Sequence, residues 1–233
     1  MKFDATFGQA EALQLKAAIL LYGGAKRIHF ASVHEPYRDD KGAPYLDSGR
    51  PITIEFLKTM AHELGLRVSV EILPETVLVH TPEVVAWWVA AAVRPMFFAS
   101  VCDGKTLNGK LYPHPALVFS VEDNHRLSVR ALVENRRPER GSATAVAPYW
   151  NTDADGAVCL GSMPIPRFGG LDALPEWVDG FFTSEFTHPN ATKLTNHPEG
   201  HLGLWRDLAG RDHFPAEWLA PAETLEQWLC RNP

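Results

Sequence analysis

Apolar and polar positions alternate in short runs along the first third of the chain. Residues 12–21 alternate through Leu13, Leu15, Ala17, Ile19 and Leu21, and residues 27–33 through Ile28, Phe30 and Val33. A period of two puts one face of a strand toward a core. Gly23-Gly24 between the runs is a turn signal, so the pattern predicts a hairpin. Residues 34–48, rich in Pro, Asp and Gly, read as a loop. Ile52, Phe56, Met60 and Leu64 then recur at helical spacing before Gly65, predicting a helix over 52–64. Residues 66–73 return to strand-like alternation, closed by Pro74.

The middle of the chain is strand-rich. Residues 76–80, 82–92 and 96–101 are predicted strands. The second of these is ambiguous by periodicity but favoured as a strand by its adjacent valines and tryptophans. Residues 104–115, with Tyr112-Pro113-His114-Pro115, read as a loop. Residues 116–121 and 125–133 form a predicted hairpin about Glu122-Asp123-Asn124. Residues 135–144 are polar and basic and read as a solvated loop. The last third turns helical. Leu174, Trp177, Val178, Phe181 and Phe182 share one face of a predicted helix over 171–186, and shorter helices are predicted over 201–209 and 222–230. The order of elements gives an α+β fold: a mixed α/β module over residues 1–80, then a second domain over 81–233.

Composition narrows the functional classes. The 233 residues are 45% hydrophobic and 21% charged with a net charge of −6, which is ordinary for a folded domain and wrong for tracking a phosphate backbone. No nucleic-acid partner is expected. No apolar run approaches the roughly 20 residues of a membrane span, and the first residues carry no signal-peptide pattern, so no membrane partner is expected either. Cys102, Cys159 and Cys230 are odd in number and widely separated, which favours neither a disulfide framework nor a zinc site. A cytoplasmic location follows.

Chemistry concentrates in one loop. Asn151 and Cys159 are eight residues apart, with Asp153, Asp155 and Gly156 forming a turn between them. A cysteine thiolate can attack a carbonyl, and an amide such as Asn151 can donate to the resulting oxyanion. Read from residues alone, the stretch is equally an ordinary turn beside a buried thiol. Cys102 and Cys230 lack such surroundings and are expected to pack. Gly23-Gly24-Ala25-Lys26 lacks the spacing and hydroxyl of a phosphate loop. His197 and His201 stand four apart, but Pro198 and Gly200 disfavour the helix that would aim both at one metal. No cofactor and no metal are called for. A cysteine hydrolase remains open, since any of ten histidines can in principle supply its base.

The segment Asn151 to Cys159, with Gly156-Ala157-Val158-Cys159-Leu160, resembles the active-site segment of ubiquitin-conjugating enzymes. There, a His-Pro-Asn tripeptide is followed at this interval by the catalytic cysteine. Tyr149-Trp150 replace the His-Pro. The literal tripeptide His188-Pro189-Asn190 occurs later, has no cysteine at the matching distance, and is expected to be a turn.

A broader resemblance spans most of the chain. Thr81-Pro82-Glu83-Val84-Val85-Ala86-Trp87-Trp88, Arg94-Pro95-Met96-Phe97-Phe98, His114-Pro115-Ala116-Leu117-Val118-Phe119, Ala147-Pro148-Tyr149-Trp150-Asn151 and Trp177-Val178-Asp179-Gly180-Phe181-Phe182 look like the PRTRC system protein B family of bacterial plasmids and mobile elements. That resemblance implies a ubiquitin-conjugating-like antiparallel meander with C-terminal helices, preceded by an N-terminal α/β extension. It implies Cys159 as thioester acceptor and Asn151 as oxyanion stabiliser. The implied partners are a ubiquitin-like protein, a ThiF-like activating enzyme and a JAB-type peptidase. A non-catalytic adaptor of the same fold is the rival reading.

Overall fold

The computed structural model describes residues 15–24, 27–38, 40–65, 72–99, 107–167 and 170–231. It is an α+β protein with mostly antiparallel sheets, and it divides into two units, Met1–Glu71 and Ile72–Pro233.

In the first unit, β1 (Ala18–Gly23) and β2 (Ile28–His34) form an antiparallel hairpin, with Ile19 opposite Val33 and Tyr22 opposite Phe30. β3 (Pro36–Arg38) and β4 (Pro44–Leu46) make a small ribbon, and β5 (Arg50–Pro51) adds to β2. α1 (Ile54–Glu63) starts at Thr53, whose hydroxyl accepts the Phe56 N–H, one of the donors a helix start leaves unpaired. Gly65 follows at φ +70°, a common way to end a helix. The strand expected over 66–73 falls mainly on residues outside those described; Ile72 and Leu73 are not in a strand.

The second unit holds β6 (Val77–His80), β7 (Val84–Val89), β8 (Ala92–Phe98), β9 (Lys110–His114), β10 (Leu117–Glu122), β11 (Arg126–Leu132), β12 (Ala143–Val146), α2 (Leu174–Thr183), β13 (Glu185–Phe186), α3 (Gly200–Leu208), β14 (Pro221–Thr224) and α4 (Leu225–Leu229). A six-stranded sheet runs β14-β12-β11-β10-β7-β6 and a second, three-stranded one β13-β8-β9. Val77–His80, which the pattern groups with the N-terminal module, pairs with β7.

β10 lies between β7 and β11 and is buried on both faces. Leu117, Phe119 and Val121 enter the main core with Trp87, Tyr149, Trp150, Phe181 and Trp205, while Val118 joins Ala116, Leu132, Leu225 and Trp228 on the other side. Burial on both faces explains a continuous apolar run where a half-exposed strand would alternate. Asp123 and Asn124 close the β10–β11 turn in the left-handed region, φ 51° and 58°, which their short polar side chains tolerate.

Several expectations need correction. Residues 34–48 hold the β3–β4 ribbon rather than a loop throughout. Lys110–His114 is a strand, not a loop. Proline removes a ladder donor, but among the described residues β9 is an edge strand paired only with β8, so Pro113 is accommodated there. Residues 222–230 are not one helix. Pro221–Thr224 pairs with β12, and Thr224 then opens α4 with a capping box in which its hydroxyl accepts from the Gln227 N–H and Gln227 accepts from the Thr224 N–H. The helix over 171–186 ends at Thr183, and Glu185–Phe186 turns into a short strand parallel to β8.

Candidate functional site

Asn151 to Cys159 forms a miniature hairpin. The Cys159 N–H donates to the Asn151 carbonyl at 2.8 Å, the Asp153 N–H to the Ala157 carbonyl at 3.0 Å, and Thr152 bridges Val158 between them. Asp153 organises the turn. Its carbonyl accepts the Gly156 N–H at 3.2 Å and its Oδ1 accepts the Ala157 N–H at 2.9 Å. The return arm then docks on β11, with the Val129 N–H on the Gly156 carbonyl at 2.8 Å and the Val158 N–H on the Leu127 carbonyl at 3.0 Å.

Gly156 is required twice. Its φ is +94°, and a Cβ there would stand 2.7 Å from the Val129 carbonyl oxygen. The far side of the turn is clamped by the C-terminal elements. Buried Arg130 donates to the Ala154 carbonyl at 2.7 Å and to Glu223 at 3.1 Å, and the Trp228 indole N–H reaches the Asp155 carbonyl at 3.2 Å. Arg231 pairs with the Asp155 carboxylate at 3.2 Å. Burial alone would raise the Glu223 pKa. Hydrogen bonds from its own backbone and Arg130, with the charges of Arg130 and Arg231, outweigh burial and hold it below the usual carboxylate value.

The two residues before Asn151 are core, not site. Tyr149 and Trp150 are almost completely buried. Tyr149 stacks on Phe186 and on the His114 ring. His114 Nε2 faces the Arg94 carbonyl at 3.4 Å and so carries the proton; Nδ1 accepts from the Tyr149 hydroxyl at 3.0 Å. Burial pushes the His114 pKa down to about 3 and raises that of Tyr149 beyond the ordinary phenol value. Where His-Pro stood in the resembled motif, an aromatic pair anchors the loop from below.

Asn151 is half-buried and Cys159 exposed. The Asn151 side chain faces residues 185–187. Its Nδ2 donates to the Glu185 carbonyl at 2.8 Å, and its Oδ1 accepts from the Thr187 N–H at 3.1 Å and hydroxyl at 3.3 Å. A carboxamide nitrogen has two N–H groups, so one remains beyond the bond to Glu185. Residues 185–190 were not legible as part of the site, although His188-Pro189-Asn190 was a signal: its Asn190 N–H donates to the Trp150 carbonyl at 2.9 Å. The tripeptide lies outside helix and strand, but beside the cysteine loop.

The other candidates resolve differently. Cys230 is exposed at the end of α4, contrary to the packing role expected of it, because it is the helix C-cap. Cys102 lies outside the described residues. His197 is buried, accepts the Glu199 N–H at Nδ1 and meets Asp207 through Nε2 at 3.2 Å, so both ring nitrogens are engaged within the protein. A cavity of about 280 Å³ lined by Pro115, Asn135, His213 and Phe214 does not include Cys159. The Cys159 side chain is exposed.

The α+β fold with mostly antiparallel sheets is compatible with a ubiquitin-conjugating-like fold. The chain matches the model of prokaryotic E2 family D over residues 55–222 and belongs to that family. No curated protein and no solved structure matches it.

Proposed function

We propose that this protein accepts a ubiquitin-like protein as a thioester on Cys159 and passes it to an amine, within a bacterial PRTRC-type system. The observation that carries this reading is the exposed Cys159 on the return arm of a hairpin whose other arm begins at Asn151, with 2.8 Å between their backbone groups. The prokaryotic E2 membership supports the ubiquitin-like donor and an activating enzyme as partners in general terms. A ThiF-like enzyme would supply the activated carbonyl, and a JAB-type peptidase would act on the product.

The chemistry is a transthioesterification followed by aminolysis. The Cys159 sulfur attacks the donor thioester carbonyl, and the activating enzyme's thiol leaves. An amine then attacks the new thioester, and the second Nδ2–H of Asn151 stabilises the charge that develops on oxygen. Exposure suits both steps, since two proteins must reach one sulfur in turn. The adaptor reading would be favoured by a buried thiol, which the structure does not have.

Incubation with ATP, the ThiF-like enzyme and the ubiquitin-like protein tests the proposal. A reductant-sensitive adduct that depends on Cys159 is expected. Its absence with a competent activating enzyme, or its persistence in Cys159→Ala, overturns the assignment.

A further inference from the structure

Thr187 and His188 follow β13 directly and are both exposed. The Thr187 hydroxyl stands between two acceptor-capable atoms, Asn151 Oδ1 at 3.3 Å and His188 Nδ1 at 3.0 Å. Asn151 Oδ1 has no hydrogen and can only accept, while Nδ1 accepts or donates according to the tautomer. In the tautomer that carries its proton on Nδ1, the Nδ1–H donates to the Thr187 oxygen and Nε2 is left to accept a proton. Among the described residues Nε2 has no partner. The segment is pinned at both ends, by Asn151 on residues 185 and 187 and by the Asn190 N–H on the Trp150 carbonyl. A single hydrogen-bonded string thus joins the Cys159 backbone, Asn151, Thr187 and an imidazole ready to accept a proton.

We propose that His188 is the general base that takes the proton from the acceptor amine as it attacks the Cys159 thioester, and that Thr187 is its positioning residue. The inference rests on the thioester reading above. In the step, the amine lone pair forms the C–N bond and the carbonyl π pair moves to oxygen. Collapse of that intermediate breaks the C–S bond and leaves the pair on sulfur. The proton given up by nitrogen passes to Nε2 and from there to the thiolate, so the step ends with an amide, a free thiol and a neutral imidazole. The ionisable groups on the elements that meet here are Glu185 on β13, Arg94 on β8, and Asp153, Asp155 and Cys159 in the hairpin. His188 is the histidine among them.

The test needs no natural partner. The full chain is incubated with a synthetic Gly-Gly-ended peptide thioester, and the Cys159-dependent adduct is then discharged to free lysine or to hydroxylamine across a pH series. His188→Gln should load as the wild type does. It should lose roughly 100-fold in discharge to lysine and lose the ionisation that shapes the pH profile. Hydroxylamine, whose nitrogen gives up its proton after attack more readily than lysine's, depends less on a positioned base and should discharge the two proteins more nearly alike. Thr187→Val should reproduce part of the lysine defect, and Thr187→Ser, which keeps the hydroxyl, should restore the rate. Lysine discharge of His188→Gln at the wild-type rate and pH dependence overturns the assignment, as does a defect confined to loading. If wild type forms no Cys159-dependent adduct, the thioester reading falls and this inference with it.

Discussion

The Cys159 amide donates to the Asn151 carbonyl at 2.8 Å, so the eight-residue interval between them is the length of a closed hairpin. The spacing matters because it sets which side chains stand at the hairpin's open end. Asn151 and Cys159 sit there side by side, while Asp153 and Gly156 make the turn. Inserting or deleting one residue between them would move the cysteine to the other face of its arm, because side chains alternate along an extended chain.

Gly156→Ala tests that geometry. The substitution requires a side chain at φ +94° and places a Cβ 2.7 Å from the Val129 carbonyl. We expect a loss of about 1–3 kcal/mol in denaturant unfolding, together with altered alkylation kinetics at Cys159. Unchanged stability and unchanged alkylation would show that the turn tolerates another backbone conformation.

Arg130 carries the clamp between the turn and the C-terminal elements. Arg130→Ala removes a buried guanidinium from Glu223, which keeps Arg231 at 3.3 Å, and from the Ala154 carbonyl; it should cost about 1–3 kcal/mol. Replacing both partners by apolar residues, Arg130→Met with Glu223→Leu, should recover much of that loss. If the double variant is no more stable than the single one, the loss comes from the Ala154 contact rather than from the weakened pairing of Glu223.

Two groups with shifted pKa values, buried His114 and half-buried Glu223, predict the pH dependence of stability. His114 has a folded pKa of about 3 against an ordinary value of about 6.5. The unfolded chain therefore binds a proton that the folded chain does not, and stability falls as pH drops from about 6.5 toward 3. Glu223 also has a depressed folded pKa; its contribution is present above the ordinary glutamate value and is lost as pH falls through the folded one. Chemical denaturation of His114→Phe across pH 8 to 4 should show a flatter profile than wild type. An equal slope would mean that His114 is protonated in the fold.

Asn151 has both a structural and a chemical part, and two variants separate them. Asn151→Ala removes the bonds to residues 185 and 187 and should cost about 1 kcal/mol. Asn151→Asp keeps the acceptor for Thr187 but no longer donates to an oxyanion. Both should still load Cys159, and both should discharge roughly 100-fold more slowly. Rapid discharge in Asn151→Asp would assign the residue to holding β13 alone.

Much of this was legible in the sequence, for identifiable reasons. Period-two alternation found β1 and β2, and helical spacing ended by Gly65 found α1, because both patterns are set by local geometry. Lys110–His114 was missed because prolines argue against a strand when its edge position is unknown. The Thr224-Leu225-Glu226-Gln227 start of α4 has the spacing of a capping box, but the apolar pattern over 222–230 was read as one helix. At the site, the Asn151–Cys159 hairpin could be read because it is local. The meeting of Asn151 with Thr187, 36 residues away, depends on β13 pairing with β8, and no short-range pattern encodes that.

The most direct measurement is intact-mass and peptide analysis of the loaded protein under non-reducing conditions, after incubation with ATP, the activating enzyme and the ubiquitin-like protein. Wild type should carry one ubiquitin-like protein on Cys159, released by thiol reductant. Cys159→Ser should carry it at the same residue as an ester that reductant does not release. An adduct on Cys102, on Cys230 or on a lysine, with Cys159 unmodified, would contradict the account.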